Sequence, residues 1–469
     1  MKQIILIILF FSGYGITNAQ LSMDPEVIKT LGLPVIEITT ENAEEPTCEP
    51  IEAPAGCDGI SITNVTKVSG RLKITKDNNT IFDSGDYKKD VSGIKIKIRG
   101  NTSSAFEKKK SFKIKLEKKA DLLFRSATYK DKDWILLNEG GGEIIYWLGF
   151  KLNQLFGMPW TPAHEYVNLI INGNYRGIYM LVESVKQNEN CRINVDNKTG
   201  YIIENDAYWW NELITFESML GRHYTFKYPK DDDVSEFQKT YIKTAINKME
   251  VSIIDGTYES TIDVKSFATW LLAHDIMNTR DAGGSNIYIA KYSNSPESKF
   301  FMPTLWDFGG CFLSNTQSWS NIHTNERYHY YSSLLKSKNP AFRKIYKELW
   351  EQKGRNAIDL LTEATKDFLL SQEGKALTKS QPYDSQRWGW KEEVDFYNNF
   401  ITELPYWLSQ RKIFLETKIK EISVKTAINN VRISRDSSFF HTPYTITGEE
   451  MPKNYKGIFI KMGKKYLKQ

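Results

Sequence analysis

The chain has 469 residues, of which 41% are hydrophobic and 13% aromatic, so it is long and apolar enough to bury a large core. Its 62 Lys and Arg residues nearly balance 57 Asp and Glu residues. The resulting formal charge of +5 is too small and too evenly spread to indicate a nucleic-acid partner. These properties favour either one large two-lobed domain or two to three ordinary domains.

Residues 1–19 have the pattern of a secretory signal peptide. Lys2 supplies a positive start, residues 4–11 form an apolar run, and residues 17–19 are typical of a cleavage site. The apolar run is short for a permanent membrane span, so a retained anchor is the less favoured alternative, and no later stretch has spanning length. We therefore expect a secreted or cell-surface protein whose mature chain has no integral membrane segment.

Residues 20–60 are rich in Pro and Glu and are predicted to form a leader onto the first lobe. Within this leader, Cys48 and Cys57 bracket a Pro-rich loop that a disulfide would close in an exported protein. No further Cys or His pair follows at ligand spacing, so the pattern does not indicate a zinc site. The other two cysteines, Cys191 and Cys311, leave the disulfide pattern open.

Residues 61–185 are predicted to form a sheet-rich N-terminal lobe. Apolar residues alternate with polar ones in several segments between 61 and 116, as expected of half-buried strands. Residues 143–156 have helical spacing and end at a glycine. The segment 165–183 contains Asn172-Gly173 between two apolar runs, which is a strong hairpin signal.

Residues 186–425 are predicted to form a helix-rich C-terminal lobe. Two short strand-like segments, NIYIAKY and FFMPTLWDFGG, interrupt the helices. Helical periodicity covers residues 236–253, 264–279, 340–370 and 397–421. The chain as a whole is therefore predicted to have an α+β fold, with the sheet-rich lobe first and the helix-rich lobe second.

The strongest chemical signal is a pair of motifs in the second lobe. Asp281 and Asn286 are five residues apart after a predicted helix, and Asp307 begins an Asp-Phe-Gly triplet after a strand-like segment. Phosphoryl transfer uses such a set, with one carboxylate for the proton of the attacking hydroxyl and an Asn and an Asp for Mg²⁺. The alternative is that Asp281 and Asp307 only cap turns, as Asp often does.

Basic residues of the first lobe are candidate phosphate contacts. Lys110 is in phase with the apolar residues of the strand at 109–116, which favours it on the cleft side, whereas Lys113 points the other way and stays a second candidate. Arg99 ends the preceding strand and is a third. A solvated edge strand is the alternative explanation for the lysines. Glu183 ends the hairpin, where it is either a nucleotide contact at a hinge or an exposed acid.

Several common enzyme classes lack their motifs here. The chain contains no G-x-S-x-G, no H-E-x-x-H and no G-x₄-G-K-[ST] sequence. The six histidines do not pair with acids or with one another at metal-ligand spacing. A carbohydrate-active enzyme is supported only by the abundance of acidic and Trp residues, because glycosidase carboxylates have no diagnostic spacing.

Taken together, these segments resemble the CotH kinase family, the spore-coat-protein-H-like atypical secreted protein kinases. The resemblance extends from about residue 60 to about residue 415. It is carried by IRGNTSS (98–104), KKSFKIKL (109–116), KDWILLNE (132–139), the helix ending at residues 156–157, the hairpin at 165–185, GYIIEND (200–206) and the D-x₄-N and WDFGG motifs.

This resemblance implies a two-lobed, protein-kinase-like fold that uses ATP with Mg²⁺ or Mn²⁺ to phosphorylate Ser or Thr of extracytoplasmic proteins. By motif position Asp281 would be the catalytic acid/base, and Asn286 and Asp307 the metal ligands. Lys110, Arg99, Lys113 and Glu183 would be nucleotide contacts.

One departure from the family pattern bears on nucleotide binding. Family members carry an Arg-Asn pair early in the helix that follows the D-W-I-L-L segment, where this chain has Ile145-Tyr146. If that Arg organises phosphates, the work is lost here or moves to Arg99. A catalytically inactive surface, adhesion or structural protein on a kinase-like scaffold is therefore the alternative to an active kinase.

The C-terminal tail, residues 426–469, carries a second resemblance. Residues 457–468, GIFIKMGKKYLK, resemble the ending of type IX secretion sorting signals. An ordinary terminal hairpin is the other interpretation. With the N-terminal signal, the sorting interpretation predicts export to the cell surface or medium.

Overall fold

The computed structural model describes residues 21–138, 144–230, 233–279, 286–312, 329–390 and 402–422, and the backbone of residues 444–445, 457–461 and 464–468. Over these residues the fold is mixed α+β, with strands concentrated early and helices late, as the sequence predicts. No helix among them is long and apolar enough to cross a membrane.

The first part of the chain contains ten strands and three helices within the described residues. The strands are β1 (Val35–Thr40), β2 (Glu49–Glu52), β3 (Ile60–Thr63), β4 (Val68–Lys76), β5 (Asn79–Asp83), β6 (Ile94–Arg99), β7 (Ser111–Ala120), β8 (Asp131–Asn138), β9 (His164–Ile171) and β10 (Asn174–Glu183). The helices are α1 (Pro25–Lys29), α2 (Thr102–Phe106) and α3 (Ile145–Phe156).

Seven of these strands close into a barrel. The hydrogen-bonded order is β1-β9-β10-β8-β7-β6-β4, and β4 returns to pair with β1. The β1–β9 pair is parallel and the β1–β4 pair antiparallel. Strand β5 pairs with residues 73–76 of β4 and extends the sheet there. Strands β2 and β3 form a separate hairpin.

Alternation along the strands fills the barrel, and on β6 and β7 it leaves the outer face polar. On β6 and β7 the residues Ile94, Ile96, Phe112 and Ile114 are buried in the barrel core. The residues between them, mostly Lys, point outward, because successive side chains of a strand point to opposite faces.

The later part of the chain combines a second sheet with helices. Its strands are β11 (Tyr201–Asn205), β12 (Thr215–Glu217), β13 (His223–Tyr228), β14 (Ile287–Lys291) and β15 (Phe300–Phe301), in the antiparallel order β12-β13-β11-β14-β15. Its helices are α4 (Glu236–Asp255), α5 (Val264–Met277), α6 (His329–Lys336), α7 (Ala341–Leu349), α8 (Arg355–Leu370), α9 (Gln372–Trp388) and α10 (Leu404–Glu421).

One large apolar cluster joins the two parts. It includes outward residues of the barrel, such as Ile135 and Leu137 on β8, together with Leu148 and Phe150 of α3 and Trp270 of α5. Helix α3 therefore lies between the barrel and the helices, and it contacts both α5 and α8. This placement brings one end of α3 to the site described below.

The structure bears on three local predictions: a hairpin turn, a long helix and a disulfide. The hairpin turns at Asn172 and Gly173, which both have positive φ (51° and 75°), as expected for the Asn-Gly signal. The predicted helix at 340–370 is divided between α7 and α8 by a π-helical turn at Trp350–Gly354. The proposed Cys48–Cys57 bridge is absent, because both thiols are free.

The C-terminal residues pair as a hairpin. Strand β17 (Gly457–Lys461) pairs with β18 (Lys464–Lys468) and with β16 (Tyr444–Thr445), all antiparallel. A hairpin agrees with either interpretation of this segment, so the sorting signal stays a prediction.

Candidate active site

A cleft of about 700 Å³ opens where the barrel meets α3 and the start of β14. The barrel contributes Arg99 and Ser111, helix α3 contributes Tyr146, and two loops contribute Asn286 and Asp307. The structure thus brings together three residues that the sequence singled out: Arg99, Asn286 and Asp307. Asp281 lies outside the described residues.

Asn286 and Asp307 are in direct contact. The Nδ2 atom of Asn286 donates a hydrogen bond to Oδ2 of Asp307 at 2.7 Å, although 21 residues separate the two. Both residues have a φ of 61°, in the left-handed region that Asn and Asp adopt more readily than other non-glycine residues. Both residues line the cleft.

The second carboxylate oxygen of Asp307 is also hydrogen-bonded. The hydroxyl of Tyr146 donates to Oδ1 at 3.2 Å, and the backbone N–H of Gly309 donates to the same atom at 3.3 Å. Hydrogen-bond donors thus reach both oxygens. No sequence motif marks Tyr146 as a site residue, because its position stands out only for lacking the Arg of the family pattern.

Phe308, the next residue in the chain, anchors the loop to α3. Its side chain is fully buried and meets the rings of Tyr146 and Phe150 at centroid distances of 5.6 and 5.2 Å. Gly149 makes this approach possible, since a Cβ atom there would lie 2.4 Å from the Phe308 ring. The position of Asp307 is therefore coupled to helix α3.

A cluster of cations lies on the outward face of β6 and β7. Lys97 and Lys113 are directly opposite each other across the two strands, and Arg99 is opposite Ser111. Burial lowers the pKa of both lysines, and their mutual repulsion lowers that of Lys97 further. Lys113 lies 3.8 Å from Asp133, whereas Lys97 and Arg99 form no ion pair with any described residue.

The face of β7 that carries Phe112 and Ile114 is turned into the barrel and not toward the cleft, contrary to the expectation for Lys110. Phe112 and Ile114, with which Lys110 was expected to share the cleft side, point into the barrel core. Lys110 donates instead to the backbone oxygen of Ser104 at 2.5 Å. Lys113 is on the same face as Ser111, which lines the cleft, so it is the better placed of the two lysines.

Glu183 is engaged away from the cleft lining. Its side chain is 1% exposed and forms ion pairs with Arg125, at 2.7 Å, and with Arg192. Its other oxygen accepts a hydrogen bond from the backbone N–H of Ala163. These contacts occupy the carboxylate in joining the end of β10 to neighbouring loops.

Glu107 is a second acid at the cleft that sequence reasoning missed. Its side chain is exposed at the mouth, where it accepts a hydrogen bond from Asn138 at 3.1 Å. Partial burial of the carboxyl and the nearby charge of Asp307 raise the pKa of Glu107. It follows a short helix among lysines, and no spacing in the sequence distinguishes it.

The donor atoms of the cleft suit a hard divalent cation. Mg²⁺ takes oxygen ligands, often only one or two from the protein, and fills its other positions with water and phosphate oxygens. The Asp307 carboxylate is one such ligand, and the Asn286 side chain beside it becomes a second when its amide turns its oxygen toward the cation. Within the described ranges there is no group of three or more His, Cys, Asp or Glu residues that suits a metal requiring a full protein cage.

Comparison with known proteins adds one match. A family model described as CotH kinase protein matches residues 96–415, which is most of the chain and includes the whole of the cleft described above. No curated protein compared with the sequence matches it.

Proposed function

Because the chain belongs to the CotH kinase family, we propose that it transfers the γ-phosphoryl group of ATP to Ser or Thr side chains of extracytoplasmic proteins. In this proposal the barrel and the helical part act as the two lobes of a kinase. Export rests on the signal pattern at residues 1–19 and on the C-terminal resemblance at 457–468. ATP and an acceptor protein are the partners.

The observation that carries the proposal is the contact between Asn286 and Asp307 in a cleft that also exposes Arg99. Oxygen ligands for a cation, and on one wall a guanidinium that forms no ion pair with the described residues, are what a nucleotide triphosphate with its metal requires. Lys97 and Lys113 extend this positive wall along the barrel. Their lowered pKa values fit a site where a bound anion would favour the charged ammonium forms.

The proposed reaction requires little covalent chemistry from the protein. The acceptor hydroxyl oxygen forms a bond to the γ-phosphorus, the bond from that phosphorus to the β–γ bridging oxygen breaks, and ADP leaves. Asp281 takes the proton of the hydroxyl. Asn286 and Asp307 would hold Mg²⁺, which neutralises charge on the phosphate oxygens when it is bound. Arg99 orients the phosphates through its planar donors.

The test is phosphate transfer by the purified mature chain. With radiolabelled ATP and Mg²⁺ or Mn²⁺, we expect self-labelling and labelling of a casein-like protein. The substitutions Asp281→Asn and Asp307→Asn each remove one carboxylate charge with little change in size, and each should reduce labelling by at least about 100-fold, the range in which single catalytic groups contribute. Asp359→Asn is the matched control, because Asp359 pairs with Lys412 on the surface of α8 and α10.

Two results would contradict the proposal. Equal labelling by the wild-type protein and both cleft variants would place the activity elsewhere. Absence of labelling in the wild type, together with an unfolding temperature that nucleotide does not raise, would favour the catalytically inactive scaffold.

A further inference from the structure

Tyr146 contacts two consecutive residues of the loop that carries the metal-binding carboxylate. Its hydroxyl donates to Oδ1 of Asp307, and its ring packs edge-on against Phe308. We infer that Tyr146 is a positioning residue, which holds the carboxylate of Asp307 in the orientation that a divalent cation needs. This inference rests on the proposed function, since it concerns the same metal.

The hydrogen bond from Asn286 is one that the metal must disturb. A carboxylate only accepts hydrogen bonds, so Asn286 faces Asp307 with its amide nitrogen, and the amide oxygen points elsewhere. To ligate a cation beside Asp307, the amide has to present its oxygen instead. The 2.7 Å bond that orients Asp307 without metal is therefore given up when Asn286 becomes a ligand.

The bond from Tyr146 reaches the opposite oxygen and is not in this competition. It can persist while Oδ2 and the Asn286 amide rearrange. Its donor is also held in place, because the Tyr146 ring packs against both Phe308 and Phe150, at centroid distances of 5.6 and 6.4 Å. A hydroxyl on an immobilised ring fixes its acceptor at a small entropic cost.

The backbone conformation of Asp307 is a further reason for a contact from outside its loop. Asp307 has a φ of 61°, a conformation that costs a non-glycine residue on the order of 1 kcal/mol and persists only where surrounding contacts impose it. The N–H of Gly309 is one such contact but belongs to the same loop. Tyr146 is a contact from a packed helix, so it ties the loop to a rigid element.

The substitution Tyr146→Phe tests this directly, because it removes the hydroxyl and keeps the ring that packs on Phe308. We expect its Mn²⁺ dissociation constant to rise about tenfold, the lower end of what loss of a ligand-orienting hydrogen bond typically costs. The measurement is Mn²⁺ titration followed by electron paramagnetic resonance, on the full mature chain without nucleotide. Tyr292→Phe, which removes a half-exposed hydroxyl just beyond β14, is the control and should bind Mn²⁺ as the wild type does.

A second readout separates positioning from a general loss of structure. If Tyr146 acts through the metal, phosphate transfer by Tyr146→Phe should return to the wild-type rate when Mn²⁺ is raised about tenfold. Unchanged Mn²⁺ affinity, or a transfer defect that excess Mn²⁺ does not restore, would overturn the inference and leave the proposed function standing. A wild-type chain that neither binds Mn²⁺ nor transfers phosphate would overturn both.

Discussion

Glu250 is a buried carboxyl group that does not line the cleft. It lies on α4, is 0% exposed, and accepts hydrogen bonds from Ser218 at 2.7 Å, Tyr330 at 2.6 Å and the backbone N–H of Leu220 at 3.1 Å. Burial raises its pKa to about 7, although these donors and the charge of Arg222 act in the other direction. Glu250 is thus partly protonated in the folded protein near neutral pH.

This shift predicts a pH dependence of stability. Between the ordinary value of 4.5 and about 7 the folded state binds a proton that the unfolded state has released. The free energy of unfolding should therefore fall as pH rises through this window, by about 3 kcal/mol in total from this group. Urea unfolding at pH 4.5, 5.5, 6.5 and 7.5 measures it.

Glu250→Gln cannot titrate, so its free energy of unfolding should fall less over the same window. The two proteins are compared by how steeply their free energy of unfolding changes with pH, and not by its absolute value. The absolute value also changes because the Gln side chain places an NH₂ donor against the N–H donor of Leu220. Glu348→Gln, at an exposed position on α7, is the control and should keep the wild-type slope. Equal slopes for Glu250→Gln and the wild type would refute the assignment.

At this scale the sequence was informative where chemistry is local. Motif spacing singled out Asn286 and Asp307, and the structure brings the two side chains into contact. Tyr146 was not, since its contact with Asp307 joins residues 161 positions apart. The choice between Lys110 and Lys113 depended on which face of β7 looks into the barrel, and closure of the barrel decides that facing.

At the scale of elements, α3 and the loop after β15 behave as one unit. Gly149 and Phe308 fit closely, and the ring occupies the space that a side chain at 149 would fill. A helical glycine is ordinarily a weakness of about 1 kcal/mol relative to alanine. Here it allows the loop carrying Asp307 to pack against the helix.

Gly149→Ala should therefore destabilise the protein despite the better helix propensity of alanine. The added methyl group would meet the Phe308 ring at 2.4 Å, and such overpacking costs about 1–3 kcal/mol. Because Phe308 must move, Asp307 should move with it and Mn²⁺ affinity should drop. Urea unfolding and Mn²⁺ titration check both effects.

A second substitution provides the control for this prediction. Phe308→Leu in the Gly149→Ala background shortens the side chain that clashes, so part of the lost stability should return. A Gly149→Ala protein that is more stable than the wild type and binds Mn²⁺ equally well would show that the fit is loose.

Elements were predictable where periodicity or turn chemistry is strong. The hairpin at Asn172-Gly173 is an example. Helix α9 was missed, since Pro382 lies inside it and polar residues dominate it. Its attachment is polar as well: Arg387 and Trp388 donate hydrogen bonds to backbone oxygens of β10. Apolar spacing therefore gives little indication of such a helix.

At the scale of the molecule, a buried ion pair joins the barrel to the helices. Lys109 and Asp384 of α9 have side chains 2% and 1% exposed, and their charged atoms are 2.8 Å apart. Asp384 also accepts from the backbone N–H of Ile178 on β10, and Lys109 lies 5.0 Å from the ring centre of Tyr179. Lys109 therefore has a structural role, because it links the start of β7 to helix α9.

Breaking this pair from one side should be costly. Lys109→Met leaves the carboxylate of Asp384 buried without its counter-charge, and the free energy of unfolding should fall by about 3–5 kcal/mol. The double variant Lys109→Met with Asp384→Leu removes both charges and should recover most of the loss. Denaturant unfolding of the three proteins forms the measurement. A single variant as stable as the wild type would mean that water already reaches the pair.

The α+β composition, with strands early and helices late, was predictable from the order of strand-like and helical patterns, whereas the kinase-like, two-lobed arrangement stays a prediction. Barrel closure was not predictable, because no sequence pattern indicates that β1 pairs in parallel with β9 as well as antiparallel with β4. Pairing between distant strands is decided by the whole sheet, which local propensities do not describe.

Closure of the barrel also constrains the order in which its strands can pair during folding. Residue 38 lies beside residue 171 in the finished barrel, so the early strands are complete long before their last neighbour exists on a growing chain. Until β9 arrives, β1 has one row of unpaired backbone groups, the kind of edge to which other chains add. Pairing over such a sequence separation is slow to form. Association between unfinished chains at the edge of β1 is therefore the hazard that closure of the barrel removes.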